Sequence, residues 1–432
     1  MSSSVSSVAV RSVSLDTSRS LTERFYHPEL DVLRFFAFFM AYIHHSLPHH
    51  EEFYTQMGVP HAIAKTIAAI GATGAFGVNL FFLLSAYLIT ELLIRERQRF
   101  GHIDLRAFYI RRILRIWPLY FFFLAFAWAL QWIVPSQHIG RHAALAFVLL
   151  GGNWWVFFVG FPASVIFPLW SLSVEEQFYI VWPVTMRRLG ARGLLWAAAV
   201  MLAAASLTRW YLASHHAWEQ SIWTHSFVQL DAIALGVALA VLLRGRSPRL
   251  GPLQRMALFG MGFACFAIGA NYFQIKEDPL TVSRVLLGYP IAAFGALLVF
   301  LSALGMLDGH PVPSARKHPE ANAGPRLAGG HGEENWQRTG GSVFARIWKL
   351  TGAPLTYLGR VSYGLYMFHI VGLLIADSSI PHESSSPGRF FFRTVLAFAI
   401  TVGFAALSYR WLEMPFLTLK QRFTHILSRP GG

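Results

Sequence analysis

The sequence predicts an all-α fold, a polytopic transmembrane helix bundle of about ten spans with both termini cytoplasmic. Three observations predict it. Of 432 residues, 54% are hydrophobic and 13% charged, against about 25% charged in ordinary soluble domains. Apolar runs of roughly 20 residues, the length that crosses a bilayer, recur along most of the chain. The basic residues behind the net charge of +14 sit mainly in short connections between those runs, where topology signals and anionic lipids place them. That placement argues against a nucleic-acid partner, which a soluble chain of this charge would suggest. Cys265 is the only cysteine, so an intramolecular disulfide and a cysteine metal site are excluded.

Taken in order, residues 1–25 are Ser-rich with scattered Arg and lack the apolar core of a signal peptide. They read as a disordered leader. Spans are expected at 30–47, 66–94, 108–134, 169–186, 193–212, 225–243, 256–275, 284–306, 354–376 and 390–412. The apolar stretch 143–161 is ambiguous, and charge decides it. If it is re-entrant or interfacial, the Arg-rich connections at 95–99, 187–192 and 244–246 and the basic C-terminus all fall inside. The connections 48–65, 212–224 and 377–388, poor in Lys and Arg, then fall outside, as positive-inside logic requires. The expected organisation is a membrane domain at 26–418, interrupted by a flexible cytoplasmic loop at 308–350, and a basic tail at 419–432. No internal repeat of the transporter kind is visible. The sequence ends soon after its last span, so no appended extracytoplasmic domain is expected.

Ionisable groups inside apolar spans are costly and mark function by default. The first span carries Asp31, Arg34 and His45. Eleven residues are almost three helical turns, so Arg34 and His45 share a face about 16 Å apart along the axis. His44 points about 100° away. A neutral imidazole suits a general base for a hydroxyl near neutral pH. The alternative is that Arg34 snorkels and His45 packs.

The third span holds Arg112 and Arg115 three residues apart on one face. Paired guanidiniums suit phosphates or a carboxylate; coenzyme A, with three phosphates, is cytoplasmic. Lipid-headgroup anchoring is the alternative reading. The fourth span begins with Trp170, followed by Ser171, Ser173, Glu175 and Glu176. At least one glutamate should face the bundle, where it could balance a histidine, while Ser171 or Ser173 could cap the helix. Asn79 lies in a run of small residues that suggests close helix packing. Tyr366 and His369 are pocket lining or structural hydrogen-bonding groups. The cluster His44, His45, His49, His50, Glu51 and Glu52 has no second ligand set of recognisable spacing, so no metal site is expected.

The order and spacing of these motifs resemble the acyltransferase 3 family of integral-membrane O-acyltransferases over roughly residues 26–416. Leu30-Asp31-Val32-Leu33-Arg34 followed by His45 looks like the family's basic-residue-to-histidine signature. Residues 77–90, the Arg112/Arg115 pair, 170–179 and 362–369 resemble its later blocks. The resemblance implies His45 as catalytic base with Arg34 beneath it, Arg112 and Arg115 holding acyl-CoA, and Glu175 and Trp170 supporting the site. Asn79, Tyr366, His369 and Asp231 are added as substrate or support residues. It implies an acyl-CoA donor, acetyl-CoA foremost, a carbohydrate-bearing acceptor, and a multi-pass location among the lipids of the inner (plasma) membrane. Val32 and Ala86 stand where the family usually has Gly, Asn79 where Asp is frequent, and Gln229, before Asp231, where many members have Arg. Rival readings are an exporter of polysaccharide precursors, an acyltransferase for macrolide-type molecules, and a membrane sensor without catalysis.

Overall fold

Long apolar runs with few breakers give long helices, and helix is the only regular structure among the described residues, 26–306, 343–379 and 386–424 of a computed structural model. Helix α1, Pro28–Ser46, starts with Pro at its first position, where no N–H is needed, and ends before Pro48. A short α2, Glu51–Gln56, follows. Then α3, His61–Thr73, runs through a 3₁₀ turn at Gly74–Phe76 into α4, Gly77–Phe100, making one 40-residue rod. Gly101, at φ +76°, closes it with an N–H bond to the Arg97 carbonyl. Asp104 caps α5, Leu105–Leu130, by accepting from the Ala107 N–H at 2.9 Å. Next come α6 (Arg141–Val148), α7 (Gly152–Val159), α8 (Trp170–Arg188), α9 (Ala191–Ser214), α10 (Glu219–Thr224) and α11 (Leu230–Leu243). The chain continues through α12 (Pro252–Ala267), α13 (Val282–Ala303), α14 (Val343–Arg360), α15 (Ser362–Ser379), α16 (Pro387–Ser408) and α17 (Met414–Gln421). Short π stretches extend α12 and join α16 to α17.

Among the described residues, six helices are long and apolar enough to cross a membrane: His61–Phe100, Leu105–Leu130, Ala191–Ser214, Pro252–Tyr272, Val282–Ala303 and Pro387–Gln421. Gly352–Arg360 and Ser362–Ser379 make a seventh if a pair bent by 78° counts as one span. The other expected spans differ for physical reasons. Helix α1 carries Glu29, Asp31 and Arg34, and α8 carries Glu175, Glu176, Arg187 and Arg188. Helix α11 has 14 residues, about 21 Å at 1.5 Å per residue.

The ambiguous stretch 143–161 breaks at Leu150 and Gly151 into α6 and α7, of eight residues each. At about 12 Å apiece neither crosses a bilayer. Helix α14 begins at Val343, inside the segment expected as loop to residue 350. The rest of that loop, the leader at 1–25 and the end of the tail lie outside the described residues. Helices α4 and α13 are largely buried, whereas α9, α12 and α16 turn most of their surface outward. Helix α1 packs against α4, α14 and α15, so the most charged N-terminal helix is enclosed by others.

Candidate active site

Two glycines set the position of α1. A Cβ on Gly74 would stand 2.4 Å from the Met40 carbonyl oxygen and 2.9 Å from the His44 nitrogen. One on Gly77 would stand 2.3 Å from the Ala37 carbonyl oxygen. The rod can therefore touch the backbone of α1 only where side chains are absent.

Beside that contact lies a cavity of about 160 Å³, walled by α1, α4, α5, α8 and α15, with room for roughly five waters. Helical spacing explains its lining. On α8, Ser171, Glu175 and Tyr179 follow one another at four-residue intervals on one stripe. On α4 the matching stripe is Phe81, Ser85 and Leu88. Helix α5 adds Arg112 and Arg115, α1 adds Asp31 and Arg34, and α15 adds Tyr363 and Tyr366.

Charge is balanced within this space. Arg34 pairs with Asp31 across one helical turn. The Ser85 and Tyr179 hydroxyls bond each other, and both interact with the Glu175 carboxylate, which Arg112 and Arg115 face electrostatically. The Arg112 guanidinium lies 5.4 Å from the Phe108 ring centre and 5.3 Å from that of Tyr179, a cation–π arrangement. Trp117 Nε1 donates to one Glu176 oxygen at 3.3 Å. The other Glu176 oxygen is buried with no partner among the described residues. A low-dielectric cavity holding three carboxylates and three guanidiniums is stable only through such pairing. It is also poised to take up an anionic or hydrogen-bonding guest.

Tyr26 and His27 line one end of the cavity, and Ser171 and Tyr366 line the other. There the Ser171 and Tyr366 hydroxyls share a bond of 2.7 Å, and both reach the Pro168 carbonyl, at 3.1 and 3.0 Å. His369 comes next, fully buried, with Nδ1 2.7 Å from the Tyr366 carbonyl oxygen and Nε2 without a partner among the described residues. Its ring centre is 5.2 Å from that of His45. His45 also meets Phe167 at 5.2 Å and His44 at 5.1 Å. His44 and His49 are held differently, by the Gly71 carbonyl at 3.1 Å and the His44 carbonyl at 2.9 Å.

Arg34, Arg112, Arg115, Glu175 and Tyr366 thus come together around one space, with His45 beyond its end behind Tyr366 and His369. Trp170 packs against Phe82 and Trp223, outside the lining. Asn79 is buried on α4, outside the cavity lining, with Oδ1 unpartnered among the described residues. Asp231 pairs with the buried Arg209 at 2.7 Å, on the α9–α11 side of the bundle. Neither expected serine cap forms: Ser171 turns to Pro168, and Ser173 accepts the Gly152 N–H at 3.1 Å, fastening α7 to α8. No group of three or more His, Cys, Asp or Glu suited to a metal occurs among the described residues. Sequence reasoning missed Ser85, Tyr179 and Tyr363. The available signal was their spacing, because Tyr179 falls four residues after Glu175.

The family model described as an acyltransferase domain, Acyl_transf_3, matches residues 27–410. A Bacillus subtilis (strain 168) protein named "Putative peptidoglycan O-acetyltransferase YrhL" is 27% identical over 368 residues, covering 80% of this chain and 51% of its own length. The O-acetyltransferase OatA of Staphylococcus aureus (strain NCTC 8325 / PS 47) is 25% identical over 359 residues, covering 79% and 52%. The chain spans about half the length of the curated relatives it matches. No solved structure matches. With its family model matched from the start of α1 to the end of α16, the chain belongs to the acyltransferase 3 family.

Proposed function

We propose that this chain is an inner-membrane O-acyltransferase that moves an acetyl group from acetyl-CoA to a hydroxyl of a carbohydrate-bearing acceptor. In this reading it crosses the membrane ten times, with both termini in the cytoplasm. The observation that carries it is the cavity joining Arg34, Arg112, Arg115 and Glu175, with Tyr366 and His369 leading from it to His45. Membership of an acyltransferase family and the peptidoglycan named for one relative support it.

The chemistry follows from the placement. Arg112 and Arg115 bind donor phosphates near the Tyr26–His27 end, because guanidiniums are matched to phosphate oxygens. The thioester arm occupies the narrow cavity, and a shift of the Tyr366 side chain from Ser171 opens the way to His45. There the acceptor oxygen attacks the thioester carbonyl carbon while His45 takes the hydroxyl proton. The carbon–sulfur bond then breaks, and the imidazolium returns the proton to the departing thiolate. Glu175 and Arg34, on the cavity side, fix the field around that step, and Trp170, Asn79 and Asp231 support the walls.

The test uses the full chain purified in detergent, with acetyl-CoA and a soluble oligosaccharide acceptor. Acceptor-dependent release of free thiol, matched by acetylated product in mass spectrometry, is the expected result. Unchanged thioester in the presence of a range of carbohydrate acceptors, with transport of an oligosaccharide across proteoliposomes, would overturn it.

A further inference from the structure

Helix α1 separates two spaces. Its Leu30, Asp31 and Arg34 face the small cavity, whereas Glu29, Val32, Leu33 and Phe36 line a second one of about 1620 Å³ on the opposite side. That exceeds the roughly 300–1,000 Å³ of ordinary small-molecule sites. The second space is bounded by α12, the end of α13 and the connection 246–250. Its floor is apolar, with Met256 and Phe259 across from Val32, Leu33 and Phe36. Helix α12 also turns Leu253, Met256 and Met261 outward, each more than half exposed, as a lipid-facing helix does.

The rim has the opposite character. Arg246 and Arg249 are exposed on the connecting loop, and no carboxylate pairs with either among the described residues. Arg255 is otherwise engaged. It donates to the Ser302 and Leu304 carbonyls at 2.8 and 2.9 Å and to the Leu250 carbonyl at 3.2 Å, fastening the loop to α13. Glu29, at the inner end, is turned to the Gly305 N–H and to His27, both at 3.0 Å. A large apolar trough beside a lipid-facing helix, with two unpaired guanidiniums at its mouth, complements an amphiphile with an anionic head.

We propose that this groove binds one anionic phospholipid, its phosphate between Arg246 and Arg249 and an acyl chain along Val32, Leu33, Phe36, Met256 and Phe259. Two juxtamembrane arginines are worth about fivefold each in affinity for an anionic head, roughly 30-fold together. Because the chain lies on the turns of α1 that carry Asp31 and Arg34, the lipid braces the wall of the acyl cavity. The site stands whether or not the acyl-transfer reading does.

Native mass spectrometry of the full chain in detergent, titrated with dioleoylphosphatidylglycerol, dioleoylphosphatidylcholine or inorganic phosphate, tests it. Phosphatidylglycerol should bind as a single tight adduct, and the Arg246→Ala/Arg249→Ala variant should lose about 30-fold in affinity. Gly260 lines the groove, and a Cβ there would meet nothing within 4 Å. Gly260→Phe should therefore exclude the lipid at an unchanged melting temperature in pure detergent. Three results would overturn the proposal: equal affinity for the two lipids, phosphate displacing the lipid outright, or lipid binding only after deletion of residues 310–340, which would make that segment the occupant.

Discussion

Replacing Gly77 by Ala tests whether the approach of α1 to α4 sets catalytic geometry. The added Cβ would lie 2.3 Å from the Ala37 carbonyl oxygen, 2.9 Å from Met40 Cβ and 3.0 Å from the Ala41 nitrogen. Ordinary contact begins at 3.4 Å, so the helices must part by about 1 Å, because backbone cannot swing aside as a flexible side chain can. Overpacking of this kind costs about 1–3 kcal/mol. Displacing a catalytic helix by about 1 Å can reduce turnover about 100-fold, and α1 carries both Arg34 and His45. The control is Gly403→Ala in α16, where nothing lies within 4 Å and alanine favours a helix by about 0.5–1 kcal/mol. The assay is acetyl-CoA turnover per monodisperse protein, read beside the melting temperature. Gly77→Ala should melt lower and turn over slowly, whereas Gly403→Ala should match or exceed the wild type in stability. A Gly77→Ala enzyme with wild-type turnover and melting temperature would refute the reasoning.

Other substitutions separate the remaining roles. His45→Ala should reduce turnover by about 10²–10⁴ at normal expression, measured by thiol release, as loss of a general base does. Arg112→Ala and Arg115→Ala should each raise KM for acetyl-CoA about 10- to 100-fold, the worth of one charged hydrogen bond, with kcat less affected. Arg209→Met, which strands buried Asp231, should cost about 3–5 kcal/mol, and adding Asp231→Leu should recover most of it; thermal unfolding reads both. His49 lies outside the helices, and burial holds its imidazole below the usual histidine value. The unfolded chain therefore takes up that proton first as pH falls below about 6.5, so stability drops on acidification. His49→Gln should flatten part of that slope in melting temperature between pH 7.5 and 5.5.

Spacing made part of the site legible and left part hidden. Arg112 and Arg115 were visible because two guanidiniums one turn inside an apolar run have no inexpensive explanation, and they do line the cavity. Glu175 was visible for the same reason. Ser85 and Tyr179 were not, because a serine or tyrosine in a span is ordinary until a carboxylate is placed beside it. Arg209 is an ionisable residue in a span, where a counter-charge is required; Asp231, expected as a support residue, is that partner. The distance along α1 from Arg34 to His45 follows from helix geometry. That Tyr366 and His369 stand between the cavity and His45 depends on how α15 crosses α1, and no local pattern encodes a crossing.

Hydropathy alone does not locate the cavity in this bundle. Of the five helices that wall the cavity, α1 and α8 carry too many charges to qualify as spans by composition. By contrast α9, α12 and α16, which qualify, lie at the periphery and contribute nothing to its lining. The reason is energetic. A carboxylate or guanidinium in hydrocarbon is tolerated only when neighbouring helices shield it and a counter-charge answers it, so the charged helices are driven to the centre, where they pack beside buried apolar ones such as α4. Apolarity therefore does not rank the cavity walls: α4 and α5, which qualify as spans, line the same space as α1 and α8, which do not. In this chain the weakest spans by composition are the ones that bring Arg34, Glu175 and Tyr179 to a common space.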